Sequence, residues 1–427
     1  MISSTSFENQ LSTTRDIRFS NRRSILHRLL LKGSSTRQEL SRMTGLSQAT
    51  VANLISDLME GGLVVELGVE ASQGGRPTTI LAINGNAGAC VGIDVAETYI
   101  HLELFDLSLH HLADFEATLS PDQNQPEQIV KQIVDGLNEL LIQAHCKIAD
   151  VVGAGISIPG PFDHSAGVSV FAPNCGWRDV ALKPMLEQEI HIPLYLDNPL
   201  KFNAIAETWF GAGQKVNNLT TIILGTGVGA GLVIGGQLYQ GASNTSGEWG
   251  HTTIIHEGRL CRCGNRGCIE AYIGAPGIMQ TIHEINPDSP LIHSEDQVKT
   301  IQEIVLAAKR GDQVAQKVLM QTTEILGEWL ANLVNLLNPD LIVLGSWLAR
   351  LIGPTILPDL GKVVERHSLA QSFRAANIRL SSLMDDAVSL GAATLVLEDY
   401  LANAGKPLAP VRLHERSYNK QPQKLDP

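Results

Sequence analysis

Glu248-Trp-Gly-His251, followed ten residues later by Cys261-Arg-Cys263-Gly-Asn-Arg-Gly-Cys268-Ile-Glu270, is the most informative stretch of this chain. Three thiols spaced C-x-C-x4-C with a histidine upstream supply a complete four-ligand set for zinc. Tetrahedral sites of this type are closed and structural, with no position left for a reactive water. Gly264 and Gly267 allow the tight turns needed to wrap a chain around one ion. Two other readings stay open: His256 in place of His251 as the nitrogen ligand, or a free-thiol surface loop. Glu248 and Glu270 flank the ligands, so the metal would steady a pocket for something polar.

The 427 residues allow two or three domains with sizeable cores. A composition 44% hydrophobic and 18% charged, with mean hydropathy +0.04, is ordinary for a globular protein. No apolar run approaches the roughly 18 residues of a membrane span, so membrane insertion is not expected. The start, Met-Ile-Ser-Ser-Thr-Ser-Phe, lacks the basic and apolar segments of a signal peptide. Cys90, Cys146 and Cys175 are scattered without a disulfide pattern, which fits a reducing, cytoplasmic location. The net charge of -12 argues against indiscriminate nucleic-acid binding, but the charge is uneven. Arg15, Arg18, Arg22, Arg23, Arg28, Lys32, Arg37 and Arg42 face only Asp16 and Glu39 over the same interval. A basic head on an acidic body predicts that the head alone meets phosphate.

That head reads as a winged helix-turn-helix. Ile25, Leu26, Leu29 and Leu30 form an apolar stripe from about Asn21 to Lys32, ended by Gly33. Ser35-Thr-Arg-Gln38 has the form of a capping box opening a second helix to Thr44. After a turn at Gly45-Leu46, Ser47 caps a third helix, Gln48 to Met59, buried through Val51, Leu54, Ile55 and Leu58. In such a unit the helix after the turn enters the major groove. Its exposed positions Gln48, Ala49, Thr50 and Asn53 can read base edges, the amides on adenine and the methyls on thymine. Leu63 to Leu67 and Gln73 to Leu81 alternate as a hairpin wing, with Arg76 at its tip. Arg37 and Arg76 complete the expected DNA contacts. A three-helix protein-interaction domain is the other reading of these helices. Readers of this type are usually dimers on palindromic sites, so a homodimer or a dimer of dimers on operator DNA is expected.

From about Gly88 the pattern becomes α/β. Ala89–Asp94 and Tyr99–Phe105 look like paired strands, Gln128–Ala144 like a helix, and Val151–Ile158 like a strand ending at Pro159-Gly-Pro161. Thr221–Ile234 holds two strands around Gly225-Thr-Gly-Val-Gly229. The zinc segment, Ile156-Ser-Ile-Pro-Gly-Pro161, Leu224-Gly-Thr-Gly-Val-Gly-Ala-Gly231 and Leu337-Asn-Pro-Asp-Leu-Ile-Val-Leu-Gly345 together resemble the ROK family of repressors, uncharacterised reading frames and sugar kinases. The resemblance runs to about Asn403 and includes the winged head and Gly-Gly-Arg-Pro linker of the repressor branch. It implies a duplicated actin-like, ribonuclease-H-like ATPase fold with sugar bound between two lobes. The expected organisation is a head and linker over 1–83, a first lobe over 88–197 completed by about 385–403, a second lobe over 198–384 carrying the zinc loop 248–270, and a mobile tail over 404–427.

Against the family's kinases the resemblance shows three departures. They present their catalytic base in an Asp-Asn-Asp or Glu-Asn-Asp run, with a Glu eight residues after the last Asp. Here Asp197-Asn198-Pro199 is followed by Glu207, so a proline stands in the place of the base. Proline can neither accept a proton nor hold Mg²⁺; Asp197, re-aimed, is the one substitute. The first phosphate loop, glycine-rich in the kinases, reads Asp94-Val-Ala-Glu97-Thr98, and Gly345-Ser-Trp347 puts a bulky ring where the kinases carry glycines. Gly225 to Gly231 survives, either to bind phosphate or for close packing. No catalytic residue is therefore expected.

The sugar side matches better. The resemblance assigns sugar contacts to Gly160, Asn198, Glu248, His251 and Glu270, although these residues could instead only brace the metal loop. Asn174 and Trp177 are candidates for closing the cleft. The resemblance implies a transcriptional regulator of carbohydrate genes, of the repressing kind usual in the family, controlled by a sugar or sugar phosphate. A sugar kinase carrying a DNA-binding head, and a regulator controlled by a sugar-transport protein, are the alternatives.

Overall fold

The computed structural model describes residues 14–70, 78–119, 124–173, 175–293, 296–383 and 387–403. Arg76, Asn174 and the tail from 404 lie outside the described residues. The head comprises α1 (Thr14–Lys32), β1 (Ser35–Thr36), α2 (Arg37–Thr44), α3 (Gln48–Glu60), β2 (Val64–Glu70) and β3 (Thr78–Ile83). The expected cap of α2 shifts by one residue. Thr36 Oγ1 accepts from the Glu39 N–H at 3.2 Å, and Glu39 Oε2 accepts from the Thr36 N–H at 3.0 Å, so the box is Thr36/Glu39 rather than Ser35/Gln38. The cause is not local. Ser35 and Thr36 pair antiparallel with Leu81 and Ile80, which keeps the chain extended until Arg37. Gly45, at φ +73°, provides the left-handed turn out of α2. Ser47 Oγ accepts from the Thr50 N–H at 3.1 Å and opens α3, as the sequence indicated.

The body begins with β4 (Ala89–Val95), β5 (Tyr99–Asp106), β6 (His111–Thr118), α4 (Pro126–Gln143) and β7 (Val151–Ser157). A small sheet of β8 (Phe162–Asp163), β9 (Val168–Ala172) and β10 (Trp177–Val180) follows, then α5 (Leu182–Glu189) and β11 (Leu194–Asp197). Helix α6 (Pro199–Trp209) leads into β12 (Leu219–Leu224), β13 (Val228–Ile234) and β14 (Gln237–Leu238). Helices α7 (Glu270–Ile273), α8 (Ala275–Ile285), α9 (Gln297–Lys309) and α10 (Gln313–Leu337) precede β15 (Leu341–Gly345). Then come α11 (Ser346–His367), α12 (Ala370–Ala375), β16 (Asn377–Leu380) and α13 (Ala387–Ala402).

Two five-stranded sheets result, ordered β11-β7-β4-β5-β6 and β14-β13-β12-β15-β16. In each, three successive strands pair antiparallel, and the next two add in parallel beyond the first of them. The same strand order used twice is a duplicated fold. All seven residues of β4 are buried, as expected of a strand covered on both faces.

The last helix, α13, lies on the first sheet where glycines let it approach. A Cβ at Gly92 would come within 1.9 Å of Ser389 O, and one at Gly155 within 2.2 Å of Ala392 O. Its other side meets α6, where a Cβ at Gly391 would reach 1.9 Å from Phe202 O. The head is not a separate globule. Ile25, Leu26 and Leu29 of α1 share one apolar cluster with Val396, Leu397 and Leu401 of α13 and with Cys90 and Phe105 of the first sheet. Each fully buried aliphatic side chain there contributes on the order of 1.5–3 kcal/mol, which holds α1 of the head against the body. Among the described residues no helix is long and apolar enough to cross a membrane.

Candidate functional site

The metal motif closes on itself. His251 Nδ1 lies 3.7 Å from Cys261 Sγ, and Cys263 Sγ lies 3.7 Å from Cys268 Sγ. The four donor atoms all fall within 4.8 Å of one another. Donors about 2.0–2.3 Å from one tetrahedral ion stand roughly 3.5–3.8 Å apart, so this set is spaced to share a single cation. His256 is not part of the group, which removes it as the alternative ligand. The turns depend on glycine: at Gly267, φ +76°, a Cβ would fall 1.7 Å from Ile255 O. Burial pushes the Cys261 and Cys268 thiols up, and a bound cation is what would hold them as thiolates.

Beside the loop, a cleft of ≈ 330 Å³ opens between the two sheets, and Gly160, Asn198, Glu248, His251 and Glu270 all line it. Asn198 caps α6 through its oxygen, which accepts from the Lys201 N–H at 3.3 Å, while its buried Nδ2 has no partner. A buried amide N–H left unpaired is costly unless something fills the site. His251 turns Nδ1 to the thiols and Nε2 toward Glu248 Oε2, 3.8 Å away, so one ring belongs to metal loop and cleft together. Burial pushes the Glu248 carboxyl up. Glu270 Oε2 accepts from the Val228 N–H at 3.0 Å, and Cys261 Sγ donates toward Oε1 at 3.6 Å. Gly160 sits at φ +78°, where a Cβ would meet Phe171 O at 2.0 Å.

The other end of the cleft is filled or neutralised. Pro199 occupies the first turn of α6 and faces the cleft. Asp197, the one candidate to replace it, is not among the residues lining the cleft and is held by its own partners. Its Oδ1 accepts from Lys201 Nζ at 2.7 Å, the Asn198 N–H at 2.8 Å and Asn244 Nδ2 at 3.3 Å, and Oδ2 pairs with His164 Nε2 at 3.0 Å. Although burial opposes it, His164 and Lys201 hold the Asp197 carboxyl below its ordinary value. Glu207, fully buried, accepts from the Ala212 N–H at 3.0 Å and from Ser381 Oγ, bracing a turn. Trp347 Nε1 lies 3.1 Å from where a Cβ on Gly225 would be, so the indole covers the start of the surviving glycine run. Further along, a Cβ at Gly229 would approach Leu200 Cδ2 to 2.5 Å and one at Gly231 would approach Leu200 O to 2.2 Å. These two glycines serve packing against α6.

Trp177 corrects an expectation. It is buried in the core of the first lobe with its Nε1 donating to Asn124 O at 2.6 Å, and it does not line the cleft. The sequence also overstated the free charge of the head. Arg18 and Arg22 pair with Asp57, Lys32 with Glu39, Arg37 with Glu66 at 3.6 Å, and Arg23 with Glu398 of the body. Gln48, Ala49 and Asn53 of α3 are exposed and Thr50 half-buried, on the face opposite Val51, Leu54, Ile55 and Leu58. Sequence reasoning missed the seam between α1 and the body. His27 meets Trp209 edge-on, ring centroids 4.1 Å apart. Burial, then Arg28 and Arg23, lowers the His27 imidazole to about 4, so it is neutral at physiological pH. No local pattern announces that contact. Lys201 was also missed: it lies in the first turn of α6 and reaches back to Asp197 at the end of β11.

This geometry agrees with the comparisons to known proteins. The ROK family profile matches residues 90–399 and a winged helix-turn-helix DNA-binding profile matches 19–65. The chain belongs to the ROK family. It is 32% identical over 387 residues to a xylose repressor of Caldicellulosiruptor bescii, covering 90% of this chain and 96% of the relative. A glucokinase of Halalkalibacterium halodurans is 34% identical over 312 residues, covering 72% of this chain and 94% of the enzyme. Among solved structures, a ROK family transcriptional regulator described as a homologue of an E. coli MLC protein superposes with a TM-score of 0.75 at 25% identity, over 91% of this chain and 98% of that one.

Proposed function

We propose that this protein is a DNA-binding transcriptional repressor of carbohydrate genes, governed by a sugar or sugar phosphate in the cleft and steadied by structural zinc on His251, Cys261, Cys263 and Cys268. Gly160, Asn198, Glu248, His251 and Glu270 would hold the sugar. The unpaired Asn198 amide would donate, and the carboxylates of Glu248 and Glu270 would accept from ring hydroxyls. When bound, zinc supplies no chemistry beyond fixing the loop that carries His251 and Glu270. Pro199 together with the neutralised Asp197 supports a cleft that binds without phosphoryl transfer. On the DNA side, Gln48, Ala49, Thr50 and Asn53 would read bases, with Arg37 and Arg76 on the backbone or minor groove, in a cytoplasmic dimer on a palindromic operator.

One observation carries the regulatory part. Helix α6 starts at Asn198-Pro199 in the cleft and ends at Trp209, packed on His27 of the head. Its eleven residues span about 16 Å, and α13 grips it along the way at Gly391. A sugar that binds one orientation of α6 better than another would shift the stance of α1, acting only through that differential affinity. The test is fluorescence anisotropy on the protein's own upstream DNA, with and without monosaccharides and their phosphates, at several salt concentrations. Sugar-dependent, salt-sensitive binding supports the reading, and its absence on every palindromic site sinks it. Trp209→Ala, outside the cleft lining, should retain sugar binding while at least halving the sugar-induced change in DNA affinity, expressed as free energy.

A further inference from the structure

Among the described residues, the carboxylates of Asp94, Glu97, Glu248 and Glu270 line the cleft, and no lysine or arginine does. The Arg262 guanidinium, between two of the candidate metal ligands, reaches cleft-lining residues but is already engaged. Its Nη1 pairs with Glu97 Oε2 at 2.9 Å, its Nη2 donates to Thr226 O at 2.9 Å, and Glu270 Oε1 lies 4.0 Å away. Lys201 is likewise spent on Asp197 and the Asn244 carbonyl. Two of the helix starts at the cleft are poor anion sites as well. Pro199 brings no N–H to the first turn of α6, and the Trp347 ring at the start of α11 covers Gly225.

We propose that Glu97, by holding Arg262, makes the cleft selective for uncharged sugars over sugar phosphates. The argument rests on the sugar-effector reading above and narrows it. Binding a phosphate needs a guanidinium, an ammonium or exposed backbone N–H groups to replace lost hydration. Here an incoming phosphoryl group meets carboxylates and finds the Arg262 guanidinium and the Lys201 ammonium already paired. A neutral polyol suffers no such penalty, because carboxylates are good acceptors for its hydroxyls. The pair also spans the cleft: Glu97 lies on the β4–β5 turn of the first sheet, and Arg262 on the metal loop beside the second. Replacing Glu97 by glutamine removes one negative charge and frees Arg262 to face the cleft.

Calorimetric titration of the zinc-loaded full chain tests this with three pairs of probes: D-xylose and its 5-phosphate, D-glucose and its 6-phosphate, N-acetyl-D-glucosamine and its 6-phosphate. For whichever sugar binds, the phosphate should bind at least 100-fold more weakly to the wild type. Glu97→Gln should narrow that ratio at least tenfold, and the double variant Glu97→Gln/Arg262→Gln should widen it again. Unchanged zinc content and melting temperature would establish that each variant is folded. A phosphorylated sugar that binds the wild type as well as its free form overturns the selectivity while leaving the sugar-effector reading standing. An unchanged ratio in Glu97→Gln overturns the role of Glu97. Silence toward all six probes, with zinc in place, overturns the sugar-effector reading and this inference with it.

Discussion

The two ends of the cleft share a single wall of backbone yet have opposite characters. At the metal end polar groups are presented to the cavity: the unpaired Asn198 amide, the Glu248 carboxyl and the Nε2 edge of His251. Other polar groups in and beside the cleft are engaged by the protein itself, with Asp197 held by Lys201 and His164, Glu97 by Arg262, and Gly225 covered by Trp347. The difference follows from the cost of burying polar atoms without partners. Where a ligand is to be bound, the protein can leave a donor unpaired because the ligand pairs it. Where no ligand is to be held, side chains from elsewhere in the fold close the same groups off.

Removing the metal should break this contrast most severely. Cys263→Ser, which takes away one thiolate, is expected to lower sugar affinity at least 100-fold, because His251 and Glu270 lose the anchor that aims them. Zinc analysis beside calorimetry checks it, and full sugar affinity in a zinc-free variant would show that the loop is not what holds the cleft. A smaller effect belongs to the cleft itself. Glu248→Gln keeps the shape and removes the charge, and should weaken binding by about 1.5–3 kcal/mol, the range for hydrogen bonds to charged groups, or roughly ten- to more than hundredfold. A loss below twofold would mean that Glu248 only braces the metal loop. The least response is expected at the closed end. Pro199→Asp restores a carboxylate at the position of the missing base, yet a coupled ATPase assay should show no sugar-dependent turnover, since Trp347 still covers Gly225 and Glu97 still faces the cleft. Turnover in that single variant would mean that the far end is a dormant nucleotide site.

Much of this was legible in the chain because the relevant residues are close in sequence. The candidate metal ligands lie within one short segment, so their spacing alone foretold that His251, Cys261, Cys263 and Cys268 converge. Ser47 could be read as a cap because a cap is a contact between near neighbours. The errors came from distant partners. The α2 box moved from Ser35 to Thr36 because β3, more than forty residues downstream, claims Ser35 as a strand residue. Trp177 looked like a cleft residue beside Pro173, yet a carbonyl at Asn124 draws its indole into the core. The basic head looked free for DNA until Asp57, Glu66 and Glu398 took up arginines that the local sequence left unopposed.

By itself the sequence determined the elements and where their chemistry clusters: the His251, Cys261, Cys263 and Cys268 set, the winged head, Pro199 after Asp197-Asn198, and the β-rich runs of a duplicated sheet. Those are properties of residue type and short-range periodicity, which any reading of the chain preserves. Only the tertiary structure decided which charges remain available and what the head touches. Glu97 meets Arg262 across 165 positions, Arg23 meets Glu398 across 375, and His27 reaches Trp209 from another domain. An ion pair or a ring contact depends on separations of a few ångströms, and the distance along the chain does not encode them.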